Sequence, residues 1–227
     1  MSPRNKFDLS LIAEAPDLCF EIALWEQGVH LVAGIDEAGR GALAGPVSAG
    51  VVILPADPDV AGWLSGVRDS KQMRPSARDH WADRIQNIAI TCSVGFASNQ
   101  EIDELGIVPA VRLAVQRAIA ELSVLPQHLL VDFLALPNIP IPQTALIRGD
   151  ARVLSVAAAS VLAKTARDAQ MLELDASYPQ YGFSRNKGYG TPQHCAAIRE
   201  YGQSSFHRTS FTLRTNRASK KRKQRQD

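Results

Sequence analysis

Residues 30–54 read HLVAGIDEAGRGALAGPVSAGVVIL. Two runs rich in Val, Ile and Ala, at 30–35 and 47–54, have the composition of strands, and the segment between them carries three glycines and Pro46. The first run ends on two adjacent carboxylates, Asp36 and Glu37, and Gly39-Arg40-Gly41 follows directly. Successive strand side chains point to opposite faces, so bringing both acids to one place requires the chain to bend there.

Working outward, Pro75 suits the first turn of a helix reaching residue 89, and residues 90–97 alternate enough for a third strand. Val111, Val115, Ala118 and Leu122 repeat at a helical period over 107–122. Short strands are expected at 129–134 and 144–147, the latter ending in Gly149-Asp150, then an alanine-rich helix over 153–176. Residues 177–190, aromatic and basic, read as a loop; Thr191-Pro192 opens a helix to about Tyr201, and residues 9–25 could form an amphipathic helix. This order predicts an α/β protein, a mixed sheet with helices on its faces.

Two more acids stand out by context. Asp132 lies inside Leu129-Leu130-Val131-Asp132-Phe133-Leu134, and Asp150 precedes the alanine-rich helix. An ionised carboxylate among leucines costs several kcal/mol unless it is paired or holds a metal. If the strands are neighbours, Asp36, Glu37, Asp132 and Asp150 converge and repel one another, and an oxygen-only set suits Mg²⁺ or Mn²⁺. Two such ions would clamp a phosphodiester. The plainer alternatives are Asp150 as a helix N-cap, Asp36 and Glu37 as a solvated strand end, and Asp132 paired with an arginine.

The 227 residues suffice for one α/β domain with an appendage, or for two small domains. The net charge of +2 hides a split: residues 1–180 carry 14 basic and 21 acidic side chains, residues 181–227 carry 11 and two. A basic end of this kind points to a polyanion. Cys19, Cys92 and Cys195 are odd in number and far apart, against a disulfide framework or a cysteine zinc site and in favour of a reducing compartment. No signal-peptide pattern opens the chain, and its longest mostly apolar stretch, 153–163, is too short to span a bilayer, so a cytoplasmic protein is expected. No Walker motif occurs, and Gln193 stands where a dinucleotide motif starting at Gly188 needs its third glycine. His30, His80, His128, His194 and His207 form no close metal pair and read as surface or structural residues. Lys71 reads as an exposed lysine or a phosphate contact; four aromatics interleaved with Arg185 and Lys187 between 178 and 189 suit stacking and phosphate contact, or a loop packed on itself.

Residues 34–46, GIDEAGRGALAGP, resemble the signature of type 2 ribonuclease H, the bacterial ribonuclease HII family. Further blocks resemble it in the same order: Asp69-Ser70-Lys71, the strand of Asp132, Arg148-Gly149-Asp150, Ala157 to Lys164, Tyr178 to Phe183, and Lys187-Gly188-Tyr189, spanning about 30–212. The resemblance implies a ribonuclease H-like fold, a five-stranded mixed sheet flanked by helices with a helical C-terminal part. It implies a catalytic domain at 30–214, an N-terminal extension at 1–29 and a basic disordered tail at 215–227. It implies that Asp36, Glu37, Asp132 and Asp150 are the catalytic carboxylates and hold two divalent ions, Mn²⁺ or Mg²⁺. The substrates would be RNA–DNA hybrid and ribonucleotide-containing duplex DNA, cut to 3′-hydroxyl and 5′-phosphate ends, in the service of ribonucleotide excision and DNA replication. Gly39, Arg40 and Gly41 would sense the ribose 2′-hydroxyl, Tyr189 would stack on the next sugar, and Lys71, Arg185 and Lys187 would bind substrate. A monomer is the default. Two departures stand out: Phe133-Leu134 follow the third aspartate where the family often has glycine and a polar residue, and Asn186 stands where histidine is common. The sister family, ribonuclease HIII, usually carries a larger N-terminal domain; a hybrid-binding protein without catalysis is the rival of another class.

Overall fold

The computed structural model describes residues 15–132 and 134–212. Residues 9–14 of the expected 9–25 helix, Phe133 and the tail at 215–227 lie outside them, and within the described residues that helix starts only at Cys19. Strands β1 (Val32–Ala38), β2 (Val47–Ile53), β3 (Thr91–Ala97), β4 (His128–Asp132) and β5 (Gln143–Leu146) form one mixed sheet of order β3-β2-β1-β4-β5. β1 and β3 run antiparallel to β2, while β1–β4 and β4–β5 are parallel. β2 is buried at every position, which is why it reads as an unbroken apolar run rather than an alternating one.

The helices are α1 (Cys19–Trp25), α2 (Val60–Trp63), α3 (Pro75–Ile88), α4 (Asn99–Leu105), α5 (Ile107–Ala120), α6 (Leu154–Ser177), α7 (Phe183–Asn186) and α8 (Pro192–Tyr201). α6 covers one sheet face and α5 the other, each over its own apolar cluster. α6 lies so close that a Cβ on Gly34 would stand 2.1 Å from the Ser155 carbonyl carbon, and one on Gly50 2.3 Å from the Ala159 carbonyl oxygen. Its alanines are the other half of that fit.

Residues 15–29 pack onto the body. Leu18 and Trp25 join the α6-side core, Asp17 bridges to Val153, and the buried Glu21 carboxylate accepts the Ser155 N–H at 2.9 Å.

Several sequence expectations need correction. β1 does not bend at its acids; it stays paired to β2 as far as Ala38↔Ser48, and the turn comes at Gly39 with φ +89°. β5 stops at Leu146, so Asp150 ends no strand; Arg148 takes a left-handed conformation and Asp150 sits in a short 3₁₀ turn, Gly149–Ala151. Nor is Asp150 the cap of α6, whose N-cap is Val153. The expected loop at 177–190 contains a 3₁₀ turn and α7 between two left-handed residues, Gly182 and Lys187. α2 and α4 were not anticipated, although α4 carries a complete Ser98–Glu101 capping box.

Candidate active site

Pairing between β1 and β4 ends at Ile35↔Val131. Beyond it β1 continues with β2 and β4 with β5, so the sheet opens at the carboxyl ends of two parallel strands, where open α/β sheets place their ligand sites. Asp36, Glu37 and Asp132 occupy that opening. Strand alternation turns Asp36 toward α6 and Glu37 toward the other face, yet both line one cleft of about 730 Å³, because no strand neighbours β1 on that side. Gly39, Arg40, Gly41, Lys71, Arg185, Lys187 and Tyr189 line the same cleft. Asp150 is buried behind its wall and is reached through Lys71, whose Nζ is 3.2 Å from Asp150 Oδ2.

The carboxylates are held under electrostatic stress. Asp36 is 3% exposed; its Oδ1 accepts the Glu37 N–H at 2.8 Å, and its buried Oδ2 has no hydrogen-bond partner. Burial, then the charge of Glu37, pushes the Asp36 carboxyl well above the usual carboxylate range, with smaller contributions from Asp132 and Asp150; nearby Ser160, whose hydroxyl is engaged with Ser70 at 2.9 Å, offsets part of this. Burial also raises Glu37, against the pull of Arg40, whose Nη1 is 3.6 Å from Glu37 Oε1. Burial raises Asp132 too, although its Oδ1 accepts the Gly149 N–H at 2.7 Å. Burial works against the charge on Lys71, but Asp36, Asp150 and Asp69 together outweigh it and push its pKa up.

Among the described residues no three His, Cys, Asp or Glu side chains form a ready cage for one ion. A hard cation that keeps several waters and leans on one or two carboxylates plus substrate phosphate needs no such cage. An orphaned buried Oδ2, an all-oxygen donor set and mutual repulsion among the acids fit a divalent cation of that kind.

The Gly39–Gly41 loop and the loop of Lys187 and Tyr189 are fastened by arginines that the sequence did not single out. Arg167 of α6, fully buried, donates to the carbonyls of Pro46, Lys187 and Ala44 at 2.8, 2.8 and 3.1 Å. Arg208, equally buried, donates to Gly45, Arg40 and Pro46 at 3.0, 3.1 and 3.0 Å. A Cβ on Gly39 would stand 2.0 Å from Arg167 Nε, whereas one on Gly41 would meet nothing within 4 Å. A signal for Arg167 was present: it follows Ala163 by four residues and precedes Met171 by four, a cation on the buried stripe of α6. On the cleft wall Asp168 takes Arg78 Nη2 at 2.8 Å and Lys164 Nζ at 2.5 Å.

Tyr189 is 37% exposed, with Arg167 and Lys164 5.5 and 5.6 Å from its ring centre. Arg185 is exposed, and Lys187 Nζ donates to the Ser184 carbonyl. Asn186, the departure from the expected histidine, is buried and staples its own loop: its amide donates to Tyr181 O and accepts from Gly188 N, both at 2.7 Å. The three cysteines are unpaired, and among the described residues no helix is long and apolar enough to cross a membrane.

Residues 33–214 match the family model described as Ribonuclease HII. The chain is 51% identical over 198 residues to a ribonuclease HII of Synechococcus sp. (strain JA-3-3Ab), covering 86% of this chain and 88% of that one. The crystal structure of the ribonuclease H2 from Pyrococcus horikoshii OT3 superposes with a TM-score of 0.66 at 27% identity, over 80% of this chain and 94% of the other. Bst-RNase HIII in complex with Mn²⁺ has a TM-score of 0.64 over 84% of this chain and 70% of its own; at 18% identity that likeness concerns the fold alone.

Proposed function

The chain belongs to the ribonuclease HII family, whose members are RNase H hydrolases, and from that premise we propose that it hydrolyses the RNA strand of RNA–DNA hybrids and nicks duplex DNA on the 5′ side of a single ribonucleotide. The products carry 3′-hydroxyl and 5′-phosphate ends. The observation that carries this reading is one cleft shared by the β1 and β4 carboxylates, the Gly39-Arg40-Gly41 loop and Tyr189. It acts as a monomer in the cytoplasm, with residues 30–214 as the catalytic unit.

Asp36, Glu37, Asp132 and Asp150 would hold two divalent ions, Mg²⁺ or Mn²⁺; when bound, these supply an activated water and stabilise the leaving oxygen. The manganese complex of the fold relative Bst-RNase HIII is consistent with that choice. The chain's own residues do the rest. Gly41, with open space where a side chain would stand, lets the backbone approach the ribose, whose 2′-hydroxyl separates RNA from DNA. Tyr189 lays a ring against the next sugar, where a missing hydroxyl leaves room. Lys71 balances the carboxylates, while Arg185 and Lys187 follow the phosphates.

The test is a nicking assay on duplex DNA containing one ribonucleotide, with Mg²⁺ or Mn²⁺. The expected result is a single cut 5′ of the ribonucleotide and none in all-DNA duplex. Binding without cutting under either metal would favour a hybrid-binding protein and refute the proposal.

A further inference from the structure

His194 of α8 and His207, in the segment after it, are buried imidazoles that the reaction above does not use. Their Nε2 atoms lie 3.1 Å apart, and the partners at either end fix where the hydrogens reside. The Ser204 backbone N–H, which can only donate, points at His207 Nδ1 at 2.9 Å, with the Ser204 hydroxyl 2.8 Å from the same atom. His207 Nδ1 therefore accepts, and the neutral ring carries its hydrogen on Nε2. At the other end His194 Nδ1 is 2.9 Å from the Tyr189 carbonyl oxygen, which can only accept. His194 thus carries its hydrogen on Nδ1 and offers a lone pair at Nε2. Every bond runs one way, from Ser204 through His207 and His194 to Tyr189.

The receiving end matters because Tyr189 stands between Gly188, with φ +80°, and Gly190. A residue flanked by glycines has little local restraint on the direction of its peptide. The Tyr189 N–H is held by the Asn186 carbonyl at 2.9 Å, and its carbonyl accepts from both the Thr191 N–H at 2.7 Å and His194 Nδ1. The far end of the chain is firmly seated: Asn99 of α4 donates to the His207 carbonyl at 3.2 Å, and Tyr181 packs on the His207 ring with centres 4.8 Å apart.

The geometry points to His194 and His207 as positioning residues for Tyr189: the Thr191 N–H ties the Tyr189 carbonyl locally, and the ordered imidazole pair adds the tie to the body of the protein that aims the phenol ring into the cleft. This rests on the reading of Tyr189 as the ring that tests the sugar next to the ribonucleotide.

The test separates the two ends of His194. Asparagine places an N–H where His Nδ1 stands; glutamine places one where Nε2 stands. His194→Asn keeps the tie to Tyr189, and His194→Gln loses it. The quantity measured is kcat/KM on a duplex with one ribonucleotide divided by kcat/KM on a duplex with a long RNA tract, with Tyr189→Ala setting the scale. The expected result is a ratio lowered about fivefold in His194→Gln, the worth of one neutral hydrogen bond, and changed less than about twofold in His194→Asn. A merely structural role would lower folding stability in both variants and leave the ratio unmoved. Equal ratios for the two variants, with Tyr189→Ala displaced, refute the positioning role; an undisplaced Tyr189→Ala refutes the reading of Tyr189 itself. Ring ¹⁵N shifts of the unaltered protein check the bond direction without any variant. Hydrogens on His194 Nδ1 and His207 Nε2 are expected, and any other pattern overturns the chain.

Discussion

Replacing Asp36 by asparagine should make the protein more stable and catalytically inert at once. Asparagine keeps an oxygen for the Glu37 N–H, so the bond at 2.8 Å survives. What disappears is a buried negative charge with an unpartnered Oδ2, facing the charges of Glu37, Asp132 and Asp150. An unsatisfied buried polar group costs about 1–3 kcal/mol, and more when charged. Relief of about 1–3 kcal/mol is therefore expected, and at roughly 2–4 °C per kcal/mol for a chain of this length Tm rises by about 2–12 °C. The measurement is thermal unfolding by circular dichroism in excess chelator, beside the nicking assay. Added Mg²⁺ or Mn²⁺ should then raise the Tm of the unaltered protein by mass action, about 2.7 kcal/mol at a hundred times Kd, and raise that of the variant much less. An Asp36→Asn protein less stable than its parent in chelator would show that the carboxylates are not under strain, and the argument for a cation at this place would lose its basis.

The two glycines of the Gly-Arg-Gly loop should separate stability from activity. Gly39→Ala, at φ +89° and 2.0 Å from Arg167 Nε, should cost at least about 1–3 kcal/mol in urea unfolding. Gly41→Ala should stay within about 0.5 kcal/mol yet lose most cutting, and a fully active Gly41→Ala would remove the close-approach role. Burial, with His194 beside it, pushes His207 down to about 4, below the roughly 6.5 of an unfolded chain. Its contribution is complete above about pH 6.5 and is lost as pH falls toward 4, at up to about 1.4 kcal/mol per pH unit; urea midpoints at pH 7 and 5 should show this slope, and His207→Gln should flatten it. Burial raises Glu21, whose Oε2 has no partner, above its ordinary 4.5. The unfolded chain gives up that proton first, so stability falls as pH rises through the window above about 4.5. Glu21→Gln should therefore gain stability at pH 7 and gain none at pH 4, and equal effects at both would refute the assignment.

Much of the sheet was readable because buried strands are apolar and short; their order within it, β3-β2-β1-β4-β5, was not. The acids were readable as anomalies: Asp132 breaks a leucine run, and Asp36 and Glu37 close an apolar one, where a solvated strand end was the competing reading until the fold buried Asp36. Their geometry was less accessible. The expected bend at Asp36-Glu37 was a sound inference from strand alternation, but it overlooked a neighbouring strand that stops short and leaves both faces open to one cleft. Asp150 was placed at a strand end because Ile147 looks apolar; Ile147 is in fact 48% exposed, and the left-handed Arg148 turns the chain away. α7, four residues between two left-handed positions, is too short to show any period. The partners of Arg208 lie far away in sequence, and only the folded chain brings them together; those of the histidine pair are nearby in sequence but follow no periodic pattern.

The Arg208 clamp also has a consequence for the order in which the protein is made. Its acceptors, the carbonyls of Arg40, Gly45 and Pro46, leave the ribosome more than 160 residues before the guanidinium that holds them. The metal-ligand candidates are all synthesised by residue 150, so a growing chain holds its acids well before Arg208 can fasten the Gly-Arg-Gly segment. Contacts of such long sequence separation form late because their loop must close first. Nascent chains ending before residue 208 would thus carry the acidic cluster with a Gly-Arg-Gly segment that lacks this clamp, and the proposed selective cutting would wait until Arg208 has emerged.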